Sequence, residues 1–188
     1  MARSSKEQMA SNRQRIISAA SELFRSRGYN DVGIADVMKA AGMTQGGFYK
    51  HFANKEALAY EAWRAGFESV ESFWAMPANE RDGHASQPVA AIVEYYLSDH
   101  PAEERCPMQG HGEDAARSQD GGALQAVYAD GAGALYRTFL SKAGDTMDEQ
   151  QAKLLFAAMV GANFLGRASG DADWAKELKR AITASIVD

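Results

Sequence analysis

The sequence predicts an all-helical protein, and three observations support that prediction. Apolar residues recur every three or four positions along most of the 188 residues. Ile16, Ala20, Leu23 and Phe24 are an example, and this spacing places them on one helix face. Glycine follows such a stretch at Gly28, where a helix is expected to end. No stretch shows the alternating pattern of a strand strongly enough to compete with these helices.

The predicted elements follow one another as helices joined by short breaks. Pro107, Gly110 and Gly112 disfavour a regular helix, so residues 103–117 are predicted to form only a weak, broken one. The polar residues before position 12 are expected to be mobile, and residues 79–87 to form a loop. The helices are predicted at about residues 12–27, 34–41, 55–75, 88–99, 123–143, 148–168 and 171–187, with a short third helix between Thr44 and Asn54.

Residues suited to starting a helix stand at three of these boundaries. Gly33 is an acceptable N-cap for the second helix, Thr44 is the natural N-cap of the third, and Asn54 that of the fourth. The N-terminal end of the helix after Asn54 carries a partial positive charge, which would point towards the same surface as the preceding segment.

The stretch from residue 42 to 55, GMTQGGFYKHFANK, combines two different surfaces on one short helix. Phe48 and Phe52 lie four residues apart, so they share a face and are expected to be buried. The opposite face carries Gln45, Gly46, Tyr49 and Lys50. The glycines make that face thin, and a thin, polar, cationic helix face can lie close against the major groove of DNA.

Charge is distributed unevenly along the chain. Residues 1–60 contain 9 Lys and Arg against 5 Asp and Glu, whereas residues 61–188 contain 11 against 20. Only the first part is therefore expected to meet a polyanion. The single cysteine excludes an internal disulfide, no signal peptide is visible, and the apolar run at residues 154–166 is too short to span a bilayer. These observations predict a soluble, cytoplasmic protein.

The first 60 residues, about a third of the chain, resemble the DNA-binding domain of the TetR family of transcriptional regulators. Four consecutive segments at fixed spacing carry the resemblance. Val32 and Gly33 stand where the family usually carries Thr and Ser. The matching residues are Arg15-Ile16-Ile17, Ala20, Leu23, Phe24, Gly28-Tyr29, Ile34, Val37, Ala41-Gly42, Gly46-Gly47-Phe48-Tyr49-Lys50-His51-Phe52 and Asn54-Lys55-Glu56-Ala57-Leu58.

The resemblance implies an all-α architecture with two domains. Residues 1–54 would form a three-helix helix-turn-helix DNA-binding domain, and residues 55–188 a helical effector-binding and dimerisation domain. The function implied is that of a repressor, released from an inverted-repeat operator on double-stranded DNA by a small-molecule or thiol-reactive effector. The last two helices, at about residues 148–187, carry more apolar and small residues than one buried face needs, which favours a homodimer over a monomeric core.

The resemblance also implies which residues contact DNA. Gln45, Gly46 and Gly47 would approach base edges, and only Gln45 has a side chain that can pair bidentately with adenine. Phosphate contacts are expected from Thr44, Tyr49, Lys50, His51 and Lys55. His51 has an equally weighted alternative, which is a structural role as donor to a backbone carbonyl.

A small-molecule effector is implied by the resemblance, with a pocket among the helices that follow Lys55. The candidate lining residues are Trp63, Phe67, Tyr95, Cys106, Met108 and Tyr128. Each of them can also be an ordinary core residue.

Cys106 lies in the sequence Arg105-Cys106-Pro107-Met108, where Arg105 and His111 would lower the pKa of its thiol. A thiol sensor and a buried inert thiol are both consistent with this pattern. Cys106, His111 and Glu113 also allow an alternative function, a small thiol- or metal-dependent enzyme. Two intervening glycines and the absence of metal-ligand spacing argue against it, so no catalytic residue, metal or cofactor is predicted.

Overall fold

The computed structural model describes residues 2–76, 88–118, 121–144, 146–170 and 172–186. Within these ranges every regular element is helical, which confirms the predicted fold class. Two 3-10 segments, Gln45–Lys50 and Ala102–Glu104, accompany the α-helices. The α-helices are α1 (Ala2–Arg27), α2 (Ile34–Ala40), α3 (Lys55–Ala75), α4 (Pro88–Leu97), α5 (Pro107–Gly110), α6 (Gly112–Arg117), α7 (Ala123–Ala143), α8 (Glu149–Ala168) and α9 (Asp173–Ala184).

The described residues group into two compact units. The first contains the chain up to Ser69 together with His100–Ala132, and the second contains Val70–Asp99 and Gly133–Asp188. Helices α3 and α7 each contribute residues to both units. The boundary predicted at residue 54 separates the DNA-binding part of the chain from the rest by function, not by compactness. It stays a prediction.

The core of the first unit is built from the apolar stripes of α1, α2 and α3. Ile16, Phe24, Met38 and Trp63 are fully buried there. Each such side chain contributes roughly 1.5–3 kcal/mol of hydrophobic stabilisation relative to exposure. Trp63 is thus a core residue, which is one of the two roles that the sequence allowed for it.

A charged side chain adds a second connection between α1 and α3. The Arg13 guanidinium forms a two-pronged ion pair with the Glu61 carboxylate. The same guanidinium carbon lies 4.6 Å from the centre of the Phe52 ring. Arg13 therefore holds the end of the 42–55 stretch against the first and third helices.

The turns of the first unit follow from two residue choices in the sequence. Gly28, with φ of 86°, ends α1 and donates its N–H to the Phe24 carbonyl at 3.0 Å. Gly33 occupies the N-cap position of α2, and its N–H donates to the Asp36 carboxylate at 2.9 Å. Both positions were predicted as helix boundaries, and both are confirmed.

The second unit has its own aromatic core. Trp74 and Phe139 are fully buried, with 6.3 Å between ring centroids, and Tyr96 packs against Trp74. The Asn163 side-chain amide donates to the Tyr96 carbonyl at 2.6 Å, which ties α8 to α4. Helix α8 begins with a capping box, in which Asp148 and Gln151 each accept from the other's backbone N–H.

Several predicted boundaries were wrong. Helix α1 begins at Ala2 rather than near residue 12, because the first 27 residues contain no glycine or proline and many good helix formers. The segment after Thr44 is a 3-10 helix, not an α-helix. Helices α4 and α9 are shorter than predicted by two to five residues, which reflects fraying at polar ends. The predicted loop at 79–87 lies outside the described residues.

The broken helix predicted for residues 103–117 is confirmed. It consists of the 3-10 turn Ala102–Glu104 and the short helices α5 and α6. Pro107 starts α5, where its missing N–H is not needed. Among all helices described, none is both long and apolar enough to cross a membrane.

Candidate functional site

The residues predicted to meet DNA lie on the 3-10 segment Gln45–Lys50 and its two flanks. Phe48 and Phe52 anchor this segment, since they are 0% and 4% exposed and their ring centroids are 5.8 Å apart. The Phe52 N–H donates to the Phe48 carbonyl at 3.1 Å, so one α-turn brings the two rings together even though the helix itself is 3-10. The predicted burial of both rings is confirmed.

The outer face of the same segment is polar and open. Gln45, Gly46 and Lys50 are exposed, and Tyr49 keeps 71% of its surface accessible. A Cβ atom added at Gly46 would meet nothing within 4 Å, whereas one at Gly47 would contact the Met38 side chain at 3.5 Å. Gly46 therefore leaves open space on the outer surface, whereas a side chain at Gly47 would lie in ordinary contact with Met38 of α2. We call this outer face, Thr44–Lys50, the polar ridge.

Thr44 begins the polar ridge, and His51 and Asn54 follow it in the chain. Thr44 is exposed at the N-cap position, and its hydroxyl makes no capping hydrogen bond. His51 is half-buried beside Phe52, with 6.5 Å between ring centroids. Asn54 caps α3 as predicted, because its side-chain oxygen accepts the Ala57 N–H at 2.7 Å. The N-terminal end of α3, which carries a partial positive charge, therefore follows the polar ridge closely in the chain.

Lys55, the last predicted DNA contact, is held in place by residues from three parts of the first unit. Its ammonium lies 4.2 Å from the centre of the Tyr29 ring. Burial lowers the pKa of Lys55, and the carboxylates of Asp114 and Asp31 oppose that shift. Lys55 is thus a partly desolvated cation that already has a negatively charged neighbour.

Tyr29 and Asp114 form a contact that the sequence gave no reason to expect. The Tyr29 N–H donates to the Asp114 carboxylate at 2.7 Å, across 85 positions of the chain. Asp114 belongs to α6, so this bond joins the 107–117 stretch to the turn after α1. A hydrogen bond between such distant residues leaves no local pattern that a single sequence could reveal.

Four of the predicted effector residues, Phe67, Cys106, Met108 and Tyr128, are linked to one another in the first unit. Phe67 and Met108 are 3% and 6% exposed, and the Phe67 and Tyr128 rings lie 5.8 Å apart. The Tyr128 hydroxyl donates to the Met108 carbonyl at 2.9 Å. Burial raises the pKa of Tyr128, and the nearby Cys106 thiol raises it further.

The other two predicted effector residues have different surroundings. Trp63 is fully buried and stacks on His111, with 4.4 Å between ring centroids and 8° between the planes. Tyr95 belongs to the second unit, where it is 40% exposed and packs on Phe73 at 4.6 Å. The structure therefore does not group Tyr95 with the remaining candidates.

His111 proves to be a residue of the interior. It has no exposed surface, and its ring nitrogens make no hydrogen bond of good geometry among the described residues. The pKa of His111 is lowered to about 3, mainly by burial and then by the positive charge of Arg25, while a weak hydrogen bond with the Gly110 backbone opposes both. His111 is neutral near pH 7, so the prediction that it lowers the pKa of Cys106 as a cation was wrong.

The residues of the alternative enzyme do not assemble into a site. Glu113 points to solvent and pairs with Arg117 at 2.5 Å, whereas His111 is buried under Trp63 and Cys106 is half-buried. No group of three His, Cys, Asp or Glu side chains within the described ranges could hold a metal ion.

The second unit has an open groove that the sequence did not suggest. Its volume is about 470 Å³, and it is lined by Glu94 and Leu97 of α4 and by Lys179, Arg180 and Thr183 of α9. None of the predicted effector residues lines it.

Comparison with known proteins agrees with this geometry. Residues 16–62 match the family model described as bacterial regulatory proteins, tetR family. The HTH-type transcriptional regulator AcrR of Shigella flexneri is 38% identical over 63 residues, which cover 34% of this chain and 29% of AcrR. The match therefore spans less than a third of that curated relative.

Solved structures share the fold over nearly the whole chain. A TetR transcriptional regulator from Chloroflexus aurantiacus superposes with a TM-score of 0.76 at 22% identity and covers 97% of both chains. The reduced form of E. coli NemR superposes with a TM-score of 0.71 at 18% identity, covering 92% of this chain and 95% of NemR.

Fold and polar ridge together define an all-helical protein with an N-terminal helix-turn-helix region. The resemblance to the TetR family is confirmed: residues 16–62 carry that family's N-terminal domain, and the chain has the fold of TetR-family regulators.

Proposed function

We propose that this protein is a DNA-binding transcriptional regulator, a repressor released from an inverted-repeat operator by an effector. The observation that carries the proposal is the polar ridge, an exposed surface of small, polar and cationic residues fixed by two buried phenylalanines. The relatives named above are transcriptional regulators, and the family model matches residues 16–62, which include the polar ridge.

Each predicted DNA contact, on the polar ridge or next to it, has a separate part in this proposal. Gln45 reads a base edge, and Gly46 lets the backbone approach the groove. Thr44, Tyr49, Lys50, His51 and Lys55 contact phosphates, which fix the register of the protein and make its affinity depend on salt. Gly47 can offer only backbone atoms to the bases. A Cβ at this position would contact the Met38 side chain.

The DNA-binding proposal can be tested without knowing the operator. Selection from fragmented genomic DNA should recover an inverted repeat, and the logarithm of the affinity should fall linearly with the logarithm of salt concentration. The Lys50→Ala variant should reduce that slope by about 1 per subunit, since one phosphate contact is lost. Arg64→Ala is the matched control, because Arg64 is exposed on α3 and pairs with Glu68. Equal slopes for both variants would contradict the role of Lys50.

The proposed homodimer forms through α8 and α9. Leu154, Phe164 and Leu165 of α8 and Trp174 and Leu178 of α9 keep 41–62% of their surface exposed. A Cβ at Gly161 would meet nothing within 4 Å, so a second helix can approach α8 closely there. An apolar surface of this kind is typical of a protein interface. A dimer would present two polar ridges to successive major grooves, about 34–36 Å apart.

Phe164→Glu should convert the dimer to a monomer and abolish specific DNA binding, because a charge at a buried interface is costly. Sedimentation velocity measures the first effect and band-shift assays the second. Lys176→Glu on the exposed face of α9 is the control. A wild-type protein that is monomeric at micromolar concentration would contradict the dimer proposal.

The effector site proposed here lies among Trp63, Phe67, Cys106, Met108 and Tyr128, with Tyr95 left as a separate sequence prediction. The hydrogen bond from Tyr29 to Asp114 and the position of Lys55 over the Tyr29 ring support a connection from this site to DNA. An effector that moves α6 would withdraw Asp114 and release Tyr29 and Lys55. It must bind the released state more tightly than the DNA-bound state.

Thiol modification of Cys106 is a second candidate signal. Cys106 is half-buried and lies near Tyr128, inside the same group of residues. Band-shift assays with and without a quinone should show release of wild-type protein and no release of Cys106→Ser. Equal responses of the two proteins would leave Cys106 as a structural thiol.

A regulator is proposed in preference to an enzyme. The relatives are regulators, and Cys106, His111 and Glu113 have unrelated surroundings. Because its partner would be DNA, the cytoplasm is the proposed location.

A further inference from the structure

Helix α1 holds both ends of the stretch that carries the polar ridge. At the start of the stretch, the Arg15 guanidinium donates at 2.6 Å to the carbonyl of Ala41, the C-cap of α2. At its end, the Arg13 guanidinium carbon lies 4.6 Å from the centre of the Phe52 ring. The polar ridge lies between these two points, so its orientation depends on side chains that are not part of it.

Arg13 is fixed in turn by an acidic residue of α3. Its two terminal nitrogens donate to the Glu61 carboxylate, one to each oxygen. A two-pronged pair restricts the direction of the guanidinium plane as well as its position. The side chains of Arg13 and Glu61 keep only 38% and 23% of their surface accessible, so salt screens this pair less than a fully exposed one. Glu61 therefore determines how Arg13 contacts Phe52.

The pair connects the elements on which the proposed DNA contacts depend. Phe52 packs on Phe48, the buried anchor of the polar ridge, with 5.8 Å between ring centroids. Glu61 lies six positions after Lys55, which is about 9 Å along the axis of α3. The contacts of Arg13 with Phe52 and Glu61 thus fix both the polar ridge and the N-terminal end of α3 relative to α1.

Simple electrostatics predicts the opposite role for Glu61. A carboxylate in a DNA-binding unit repels phosphates, so its removal should strengthen binding to any duplex. A positioning role predicts weaker binding to the operator. A tilted ridge loses its base contacts, while its cations still meet phosphates. The sign of the change therefore distinguishes the two roles.

We propose that the Arg13–Glu61 ion pair positions the polar ridge for DNA recognition, by holding it at the angle at which it reads base edges. The proposal assigns no DNA contact to either residue. It rests on the proposed function, because it explains how the same surface acquires sequence specificity.

The experiment measures the affinity of the full chain for two duplexes in the same buffer. One carries the inverted repeat recovered by selection from genomic DNA, and the other is a scrambled duplex of equal length. Glu61→Gln should lower operator affinity roughly tenfold for each half of the repeat, as expected for one misplaced bidentate base contact. Affinity for the scrambled duplex should stay the same or rise. Unchanged or higher operator affinity would overturn the proposal.

Glu68→Gln is the matched control. Glu68 lies seven positions further along α3 on the same face, is 65% exposed and pairs with Arg64 of the same helix. The substitution removes an equal charge, so it should leave the ratio of operator affinity to scrambled-duplex affinity unchanged. A fall in this ratio as large as that of Glu61→Gln would overturn the proposal.

Two further variants test whether the geometry of the pair matters rather than its charge. Arg13→Lys keeps the positive charge but cannot form the two-pronged pair, so it should also lose operator affinity. The double variant with Glu61→Gln should lose about as much as the weaker-binding single variant, because the two residues act as one unit. Additive losses, or full operator affinity in Arg13→Lys, would overturn the proposal.

The scrambled duplex and urea denaturation separate a positioning role from a loss of fold. An unfolded variant loses affinity for both duplexes, whereas a misplaced ridge loses it for the operator alone. Equal losses for both duplexes in a variant that remains folded would overturn the proposal. If Glu61→Gln does not fold, Arg13→Lys decides by the same ratio.

Wild-type protein separates this inference from the proposed function. Equal wild-type affinity for both duplexes would overturn the proposed function, and this inference with it. A wild-type preference for the operator that persists in Glu61→Gln would overturn the positioning role alone.

Discussion

The polar ridge and the Trp63–His111 pair lie in the same compact unit, yet their polar groups are in opposite situations. On the polar ridge the polar groups are hydrated and face outward, and the apolar anchors Phe48 and Phe52 are behind them. In the Trp63–His111 pair the polar atoms themselves are buried without hydrogen bonds of good geometry among the described residues. A DNA-contacting surface can be preformed because water satisfies it until DNA arrives. Buried polar atoms that lack good hydrogen bonds lower stability instead, because they give up their hydrogen bonds to water on folding.

The largest expected effect tests the anchoring of the polar ridge. Phe48→Ala should lower the free energy of unfolding by about 3–5 kcal/mol, since it removes a fully buried ring. Tyr49→Ala, one position away and 71% exposed, should change it by less than about 0.5 kcal/mol. Urea denaturation measures both. A similar loss in the two variants would mean that Tyr49 is a structural residue rather than part of an outward surface.

The next effect tests how tightly the Phe67 ring packs against α7. A Cβ at Gly131 would lie 2.3 Å from Cγ of Phe67, so Gly131→Ala should cost about 1–3 kcal/mol of stability. Gly133→Ala is the matched control two residues along α7. Its nearest neighbour is the flexible end of Arg137 at 3.3 Å, and it should stabilise the helix by up to about 1 kcal/mol. Stabilisation by both substitutions would show that Phe67 moves freely.

The pH dependence of stability reports on His111. Its pKa is about 3 in the folded protein and about 6.5 in an unfolded chain. Between these values only the unfolded state binds the proton, so stability is complete above pH 6.5 and falls as the pH is lowered. The loss from this residue is about 1.4 kcal/mol per pH unit.

Denaturation curves of wild type and His111→Leu between pH 5 and pH 7.5 isolate this contribution, because carboxylates titrate alike in both proteins. The wild type should lose stability faster than the variant below pH 6.5. Parallel curves would indicate that His111 finds a hydrogen-bond partner or water in solution.

The smallest effect is expected outside both regions. Glu113→Gln removes an ion pair with Arg117 whose side chains are about three-quarters exposed, so stability should change by less than about 0.5 kcal/mol. DNA affinity should also stay the same. A marked loss of either would revive a functional role for Glu113.

Local chemistry explains why much of the polar ridge could be predicted from sequence. Phe48 and Phe52 are four positions apart, and one turn of any helix-like backbone brings such residues together. Gly28 and Asn54 act on their own backbone neighbourhood, so their roles as helix stop and N-cap are readable from the chain. The same reasoning could not distinguish a 3-10 helix from an α-helix at Gln45–Lys50, because both bury Phe48.

The sequence by itself determined the helices, their caps, the basic N-terminal part and the polar ridge, since these depend on residues within a few positions of one another. Tertiary structure alone decided that His111 is buried and neutral, that Asp114 accepts the Tyr29 N–H, and that Tyr95 does not share the surroundings of Trp63. Burial and hydrogen bonding between residues 48 or 85 positions apart depend on how helices pack. Helix packing is set by the shapes of whole faces, which no short stretch of sequence contains.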